Sequence, residues 1–258
     1  MKPSNASSLP PRLPFLSQVL QRIKARENAA HQTTKVSQQT VRYTTVGLSY
    51  RGFWTSEGRP SQRGIVLDVL AALDWIQFSY GEARIILWGQ SIGAGVASVT
   101  AARHLRSTLD SQTPEQGSGS DKFNISGMIL ETPFTSMGDM LVALYPQRWL
   151  PYRYLKPFLR SRWDSRAALK EIAQLKTHSV AVGKKTGGDG LKILILQAGR
   201  DELVPREHGI ELQNLGASLG LDVRRKEIGG ALHTEAMMRD EGRRVVADFL
   251  VEVAGAKE

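Results

Sequence analysis

Five residues, Gly89-Gln90-Ser91-Ile92-Gly93, constrain the fold more than any other stretch of the chain. A short apolar run, Ile85-Ile86-Leu87-Trp88, precedes them, and a small-residue segment, Ala94-Gly95-Val96-Ala97-Ser98, follows. The first reads as a buried strand and the second as the start of a helix, so the chain reverses within the motif. A strand that turns directly into a helix is a building unit of a parallel sheet. So tight a turn brings backbones together beside the serine and leaves no room for a Cβ, a demand that glycine on either side meets. A G-x-S-x-G pattern by itself recurs by chance. In a strand–turn–helix setting it lifts Ser91 out of the ordinary serines and makes it a nucleophile candidate.

The remaining sequence repeats this alternation. Leu16–Arg26 reads as a helix with Val19, Leu20 and Ile23 in its apolar set, and Asn28–Gln39 as a loose polar connection. Val41–Leu48 reads as a strand that opens into a loop through Tyr50-Arg51-Gly52-Phe53-Trp54. Ser61 is the expected cap of a helix whose apolar residues, Ile65, Val66, Val69, Leu70, Leu73 and Ile76, follow the 3.6-residue period. Strands are predicted over Ile85–Trp88, Ile125–Leu130, Lys192–Leu196 and 222–228, and helices up to Leu105 and over 206–219 and 238–252. Short apolar strands alternating with helices argue for an α/β fold: a mostly parallel sheet with helices on both faces, in a single domain over 1–258. Residues 107–121 read as a flexible insertion and 137–172 as a small helical, cap-like segment. Met137, Met140, Leu141 and Leu144 have helical spacing there, which suits either core packing or the lining of an apolar pocket.

Composition narrows the chemistry. The chain has 258 residues and no cysteine, which excludes disulfides, thiolate metal sites and thiol catalysis. Five histidines and no H-E-x-x-H give no basis for expecting a metal, and the chemistry considered below needs no cofactor. No run of about 20 apolar residues and no signal-peptide pattern is present. The formal net charge is +9. Arg148, Arg153, Lys156, Arg160, Arg162 and Arg166 lie among Trp149, Tyr152, Tyr154, Phe158 and Trp163, a composition suited to peripheral contact with an anionic membrane. A solvated basic surface is the plainer reading. No nucleic-acid-binding motif is found, so no nucleic-acid partner is expected. The expected location is cytoplasmic or peripheral to an intracellular membrane.

A serine hydroxyl needs a base to take its proton and an acid to hold that base. In an open α/β sheet such groups lie just past the carboxyl ends of strands. Asp201 follows the strand 192–196 and His233 follows the strand 222–228, which gives the order Ser91, Asp201, His233. Glu202 is a rival to Asp201 that sequence leaves open. His31, His104, His178 and His208 occupy polar or helical positions less suited to the role. The backbone N–H of Ile92, at a helix N-terminus, is the expected oxyanion donor. A second donor would come from a loop after an earlier strand, and no apolar strand precedes residue 41 to supply one.

These residues and their surroundings resemble the α/β-hydrolase superfamily and, within it, the membrane-anchored Bem46-like family, the fungal members above all. The resemblance runs over about residues 8 to 252 and is carried by Gly47-Leu48-Ser49 with Tyr50-Arg51-Gly52-Phe53, by Ile86–Ala97, by Leu130-Glu131-Thr132-Pro133-Phe134-Thr135-Ser136, by Gly199-Arg200-Asp201-Glu202-Leu203-Val204-Pro205 and by His233-Thr234. It implies Ser91 as nucleophile, Asp201 as acid and His233 as base, in a hydrolase of ester, thioester or amide bonds. Small-molecule, lipid or acylated-protein substrates are the implied partners. The family's anchor, first strands and His-Gly oxyanion loop have no match here; Pro3 and Ser4 stand where His-Gly would be. The resemblance therefore also implies an N-terminally shortened fold, a membrane-anchored longer form, and an alternative in which the chain is catalytically impaired and serves as a membrane-associated scaffold or binding protein.

Overall fold

A computed structural model describes residues 10–33, 41–81, 83–110, 125–145, 158–181 and 190–255. The described chain falls into two compact units, one formed by residues up to Pro60 together with those from Met237 onward, the other by Ser61–Ala236.

The first unit holds a 3-10 turn at Pro10–Arg12, helix α1 over Leu13–Thr33 and, at its other end, helix α7 over Asp240–Ala254. The two helices pack together. Val19 and Ile23, four residues apart on one face of α1, are buried, as are Val246, Phe249 and Val253 of α7. Ion pairs Arg22–Asp240 and Arg26–Asp248 join the two. The predicted helix over Leu16–Arg26 is thus longer than expected, and the polar stretch from Asn28 continues it as far as Thr33. The predicted strand Val41–Leu48 does not form. Alternation identifies residues that suit a pleated surface, but a strand also needs a neighbour to receive its backbone bonds. Among the described residues no strand lies beside this segment, and Val46 and Leu48 are exposed.

The second unit is the sheet and its helical layer. Strands β1 (Ile85–Gln90), β2 (Ile125–Glu131), β3 (Lys192–Ala198) and β4 (Asp222–Ile228) pair in parallel, in that spatial order. Helices α2 (Gln62–Tyr80), α3 (Ile92–Asp110), α5 (Ser165–Ala181) and α6 (Arg206–Ser218) form one continuous layer, with α3 on β1 and β2 and α6 on β3 and β4. Each parallel connection passes through a helix, as parallel strands require. The Ser61 hydroxyl accepts the Gly64 N–H and so caps α2, as its sequence predicted. The core between sheet and helices gathers Met128, Leu130, Ile193 and Ile195 with Ala101, Leu105, Leu169, Ile172 and Leu212. Helix α4 (Met137–Leu144) follows β2; its Met140 is buried, while Leu144 is exposed. Residues 107–110 complete α3. The rest of the expected insertion, the stretch 146–157 of the basic-aromatic segment, and the proposed oxyanion-loop remnant at Pro3 and Ser4 lie outside the described residues.

The two edge strands differ. On β4 the exposed positions are Asp222, Arg224 and Lys226, charges that discourage pairing with another chain. On β1 the half-buried positions are Ile86, Leu87, Trp88 and Gln90.

Candidate active site

All three predicted site residues lie at the carboxyl ends of the sheet's strands. Ser91 occupies the single residue between β1 and α3, with φ of 53°. That left-handed conformation is uncommon for a residue with a side chain. It is fixed from both sides. The Ser91 N–H donates to the Glu131 carbonyl at 2.8 Å, extending the β1–β2 ladder past the strand end, and the Ser91 carbonyl accepts the Ala94 N–H at 2.9 Å, opening α3. Gly89 is required by the same turn, because a Cβ there would lie 2.0 Å from the Gly93 carbonyl oxygen. Ile92 is the first residue of α3, so its N–H has no acceptor within the helix and faces outward at the positive end of the dipole.

Asp201 and His233 meet directly. Both Asp201 carboxylate oxygens lie 2.9 Å from His233 Nδ1, and both side chains are buried. Oδ1 of Asp201 also accepts the backbone N–H groups of Leu203 and Val204, at 2.9 and 2.8 Å, which locks the carboxylate in its turn. Against this acceptor Nδ1 carries the proton, and Nε2 is left with its lone pair. The Ser91 hydroxyl makes no hydrogen bond to the imidazole among the described residues, an arrangement common in sites without substrate.

Glu202, the rival acid, takes a different position. Its carboxylate accepts the backbone N–H of His233 at 2.9 Å, so it holds the peptide while Asp201 holds the ring. His208 is also accounted for. It is buried on α6, and its Nδ1 accepts the Thr135 backbone N–H at 3.3 Å and lies 2.8 Å from the Thr135 hydroxyl. Burial lowers its pKa from the ordinary 6.5, against the opposing pull of Asp139 and Glu211. This histidine fastens the loop after β2 to α6.

The loop after β2 repeats the design of the serine turn. Thr132 follows β2 with φ of 45°, and its N–H donates to the Leu196 carbonyl at 2.7 Å. After β3, the Gly199 N–H donates to the Ile228 carbonyl at 2.9 Å. At each of these three strand ends the ladder therefore runs one residue beyond the strand and fastens the turn that carries the site.

Comparison with known proteins agrees with this architecture. The family model for the alpha/beta hydrolase fold matches residues 28–155, which include Ser91. The alpha/beta hydrolase domain-containing protein WAV2 of Arabidopsis thaliana is 30% identical over 193 residues, covering 70% of this chain and 52% of that protein. Protein bem46 of Schizosaccharomyces pombe is 26% identical, over 80% of this chain and 56% of that one. The lysophosphatidylserine lipase ABHD12 of Danio rerio is 31% identical, over 68% of this chain and 40% of that one. The chain belongs to the α/β-hydrolase family. It spans about half the length of these relatives or less. Among its described residues no helix is long and apolar enough to cross a membrane.

Two polar residues of this α/β-hydrolase were given no role by sequence reasoning. Glu131 is fully buried at the end of β2, and Gln90 is its register partner at the end of β1. The signal was present: Glu131 is the one charge in an otherwise uncharged strand. The predicted strand ends one residue earlier, at Leu130, which leaves Glu131 outside it.

Proposed function

We propose that this chain is a serine hydrolase that cleaves a carboxylic ester, thioester or amide through an acyl-enzyme. The observation that carries the reading is the buried contact of Asp201 with His233 Nδ1 at 2.9 Å, on the same sheet rim as the strained Ser91 turn. Asp201 fixes the tautomer that leaves Nε2 free as a base and stabilises the imidazolium once it forms. His233 takes the Ser91 proton as Oγ attacks the substrate carbonyl, and the oxyanion is received at the Ile92 N–H. The imidazolium then protonates the leaving group. A water that gives its proton to the same nitrogen attacks the acyl carbon, releases the acid and restores Ser91. Among substrates, kinship with a lysophosphatidylserine lipase favours a lipid ester.

The test is labelling of the 258-residue chain by a fluorophosphonate, which phosphonylates an activated serine. Labelling that Ser91→Ala abolishes supports the reading. A chain that is folded yet unlabelled would instead be the catalytically impaired binding protein.

A further inference from the structure

Resting on that reading, we propose that Gln90 and Glu131 are a positioning pair for the catalytic base: the Glu131 carboxylate orients the Gln90 amide, and the amide holds the His233 peptide in place. The Gln90 Nε2 donates to Glu131 Oε1 and to the His233 carbonyl, each at 3.3 Å. Both partners are acceptors, so only the NH2 end of the amide fits between them. A carboxylate enforces this choice in a way that an amide does not, because it presents two acceptor oxygens, whereas an amide presents one and can turn its NH2 to the same place. Its second oxygen, Oε2, accepts the Trp88 indole N–H at 3.3 Å, which keeps the carboxylate itself from turning.

Trp88 and Gln90 are two apart on β1, and Glu131 is opposite Gln90 on β2, so all three side chains share one face of the sheet. Leu130, which points the other way, belongs to the core beneath the helical layer. Burying a carboxylate is costly unless it is well bonded. A neutral amide oxygen would accept the Trp88 indole N–H at lower desolvation cost, if satisfying the indole were all that was required.

What the carboxylate adds is a connection. The same residue's carbonyl receives the Ser91 N–H at 2.8 Å, so one peptide of β2 fixes the nucleophile's turn through its backbone and the base's peptide through its side chain. Glu202 grips the preceding peptide, its carboxylate accepting the His233 N–H at 2.9 Å. Asp201 sets the tilt of the ring; Gln90 and Glu202 set where the ring is hung. Misplacement of a base by a fraction of an ångström lowers turnover without altering the binding of substrate.

The measurement is steady-state hydrolysis of a short-chain p-nitrophenyl ester by the full chain, with Tm recorded in parallel, for Gln90→Met, Glu131→Gln and the double variant. Each single change is expected to lower kcat by roughly 10- to 100-fold with KM within about threefold of the parent. The double variant is expected to be no slower than Gln90→Met, because Glu131 acts through Gln90. If Glu131→Gln lowers Tm but leaves kcat per folded molecule unchanged, or if the two losses multiply, the proposal is overturned. Should Glu131→Gln fail to fold, Gln90→Met decides alone, and an unchanged kcat sinks the pair. A parent chain whose hydrolysis survives Ser91→Ala fails differently: it removes the serine-hydrolase reading itself, and this proposal with it.

Discussion

The interior of the sheet and its carboxyl rim are built on opposite principles. In the interior, Met128, Ile129, Leu130, Ile193 and Ile195 are all at most 1% exposed, apolar and in regular strand geometry. At the carboxyl ends of β1, β2 and β3, Gln90, Glu131 and Gln197 are polar, and Ser91 and Thr132, just past β1 and β2, have positive φ. Each strained residue costs about 1–3 kcal/mol. Each fully buried aliphatic side chain contributes about 1.5–3 kcal/mol. One or two interior residues thus offset one strained turn, and the ladder bonds that run past the strand ends carry that support to the site. Interior residues are selected for shape and rim residues for hydrogen-bond partners, so the two regions should fail in different ways.

Several substitutions probe that difference. The largest effect is expected at the rim. Asp201→Asn keeps an oxygen for the Leu203 and Val204 N–H groups but turns an NH2 toward His233 Nδ1, which favours the wrong tautomer. Turnover should fall about 10⁴-fold, while the melting temperature changes little; a modest kinetic loss would show that the pair is structural. In the interior the pattern should invert. Ile195→Ala is expected to cost about 2–5 kcal/mol in chemical denaturation, with the same turnover per folded molecule. Loss of turnover without loss of stability there would erase the distinction between the regions.

A smaller effect is expected at His208, a buried polar group outside the rim. Its pKa lies below the ordinary 6.5 because burial disfavours the charged ring, with Arg166 acting in the same sense and Asp139, Glu211 and Glu207 opposing. Between the lowered value and 6.5 the folded protein binds fewer protons than the unfolded chain. Its contribution to stability is therefore whole above about pH 6.5 and is lost as the pH falls through the folded pKa. Protonation also sets a donor at Nδ1 against the Thr135 N–H. Denaturant unfolding at a series of pH values should show a flatter acid limb in His208→Gln than in the parent; parallel limbs would remove this histidine from the account. Arg166 bridges Asp139 and Glu211 at the protein surface. Its replacement by Met should change stability by less than about 1 kcal/mol, and a larger loss would mean that this ion-pair bridge supports the loop after β2.

What was legible in the sequence follows the same division. The β1 turn could be read because its demands are local: a glycine where no Cβ fits, a serine, then small residues opening a helix. Strands β1, β2 and β3 could be read because parallel strands, covered by helices, appear as short apolar runs, whereas β4 shows the alternation of a half-exposed edge. Val41–Leu48 also alternates yet forms no strand, since a pattern does not disclose whether a neighbouring strand exists. The link from Gln90 to His233 joins residues 143 apart in sequence. No spacing rule encodes it, and it emerges only when β1 and the segment after β4 arrive at one end of the sheet. Asp201 and Glu202 could not be separated by type or position either; the difference lies in which one faces the ring and which one the peptide.

The order of the strands in space, β1 to β4, is also their order along the chain. During synthesis each new strand leaves the ribosome to find its partner already delivered, and the sheet grows in one direction. Of the three site residues, His233 arrives last. With Gln90 and His233 separated by 143 residues, a ribosome adding about 5–20 residues per second delivers the serine turn roughly 7 to 28 seconds before the histidine. On the proposed reading, the nascent chain for that interval carries Ser91 with no base beside it, and the site is complete only when the edge strand closes.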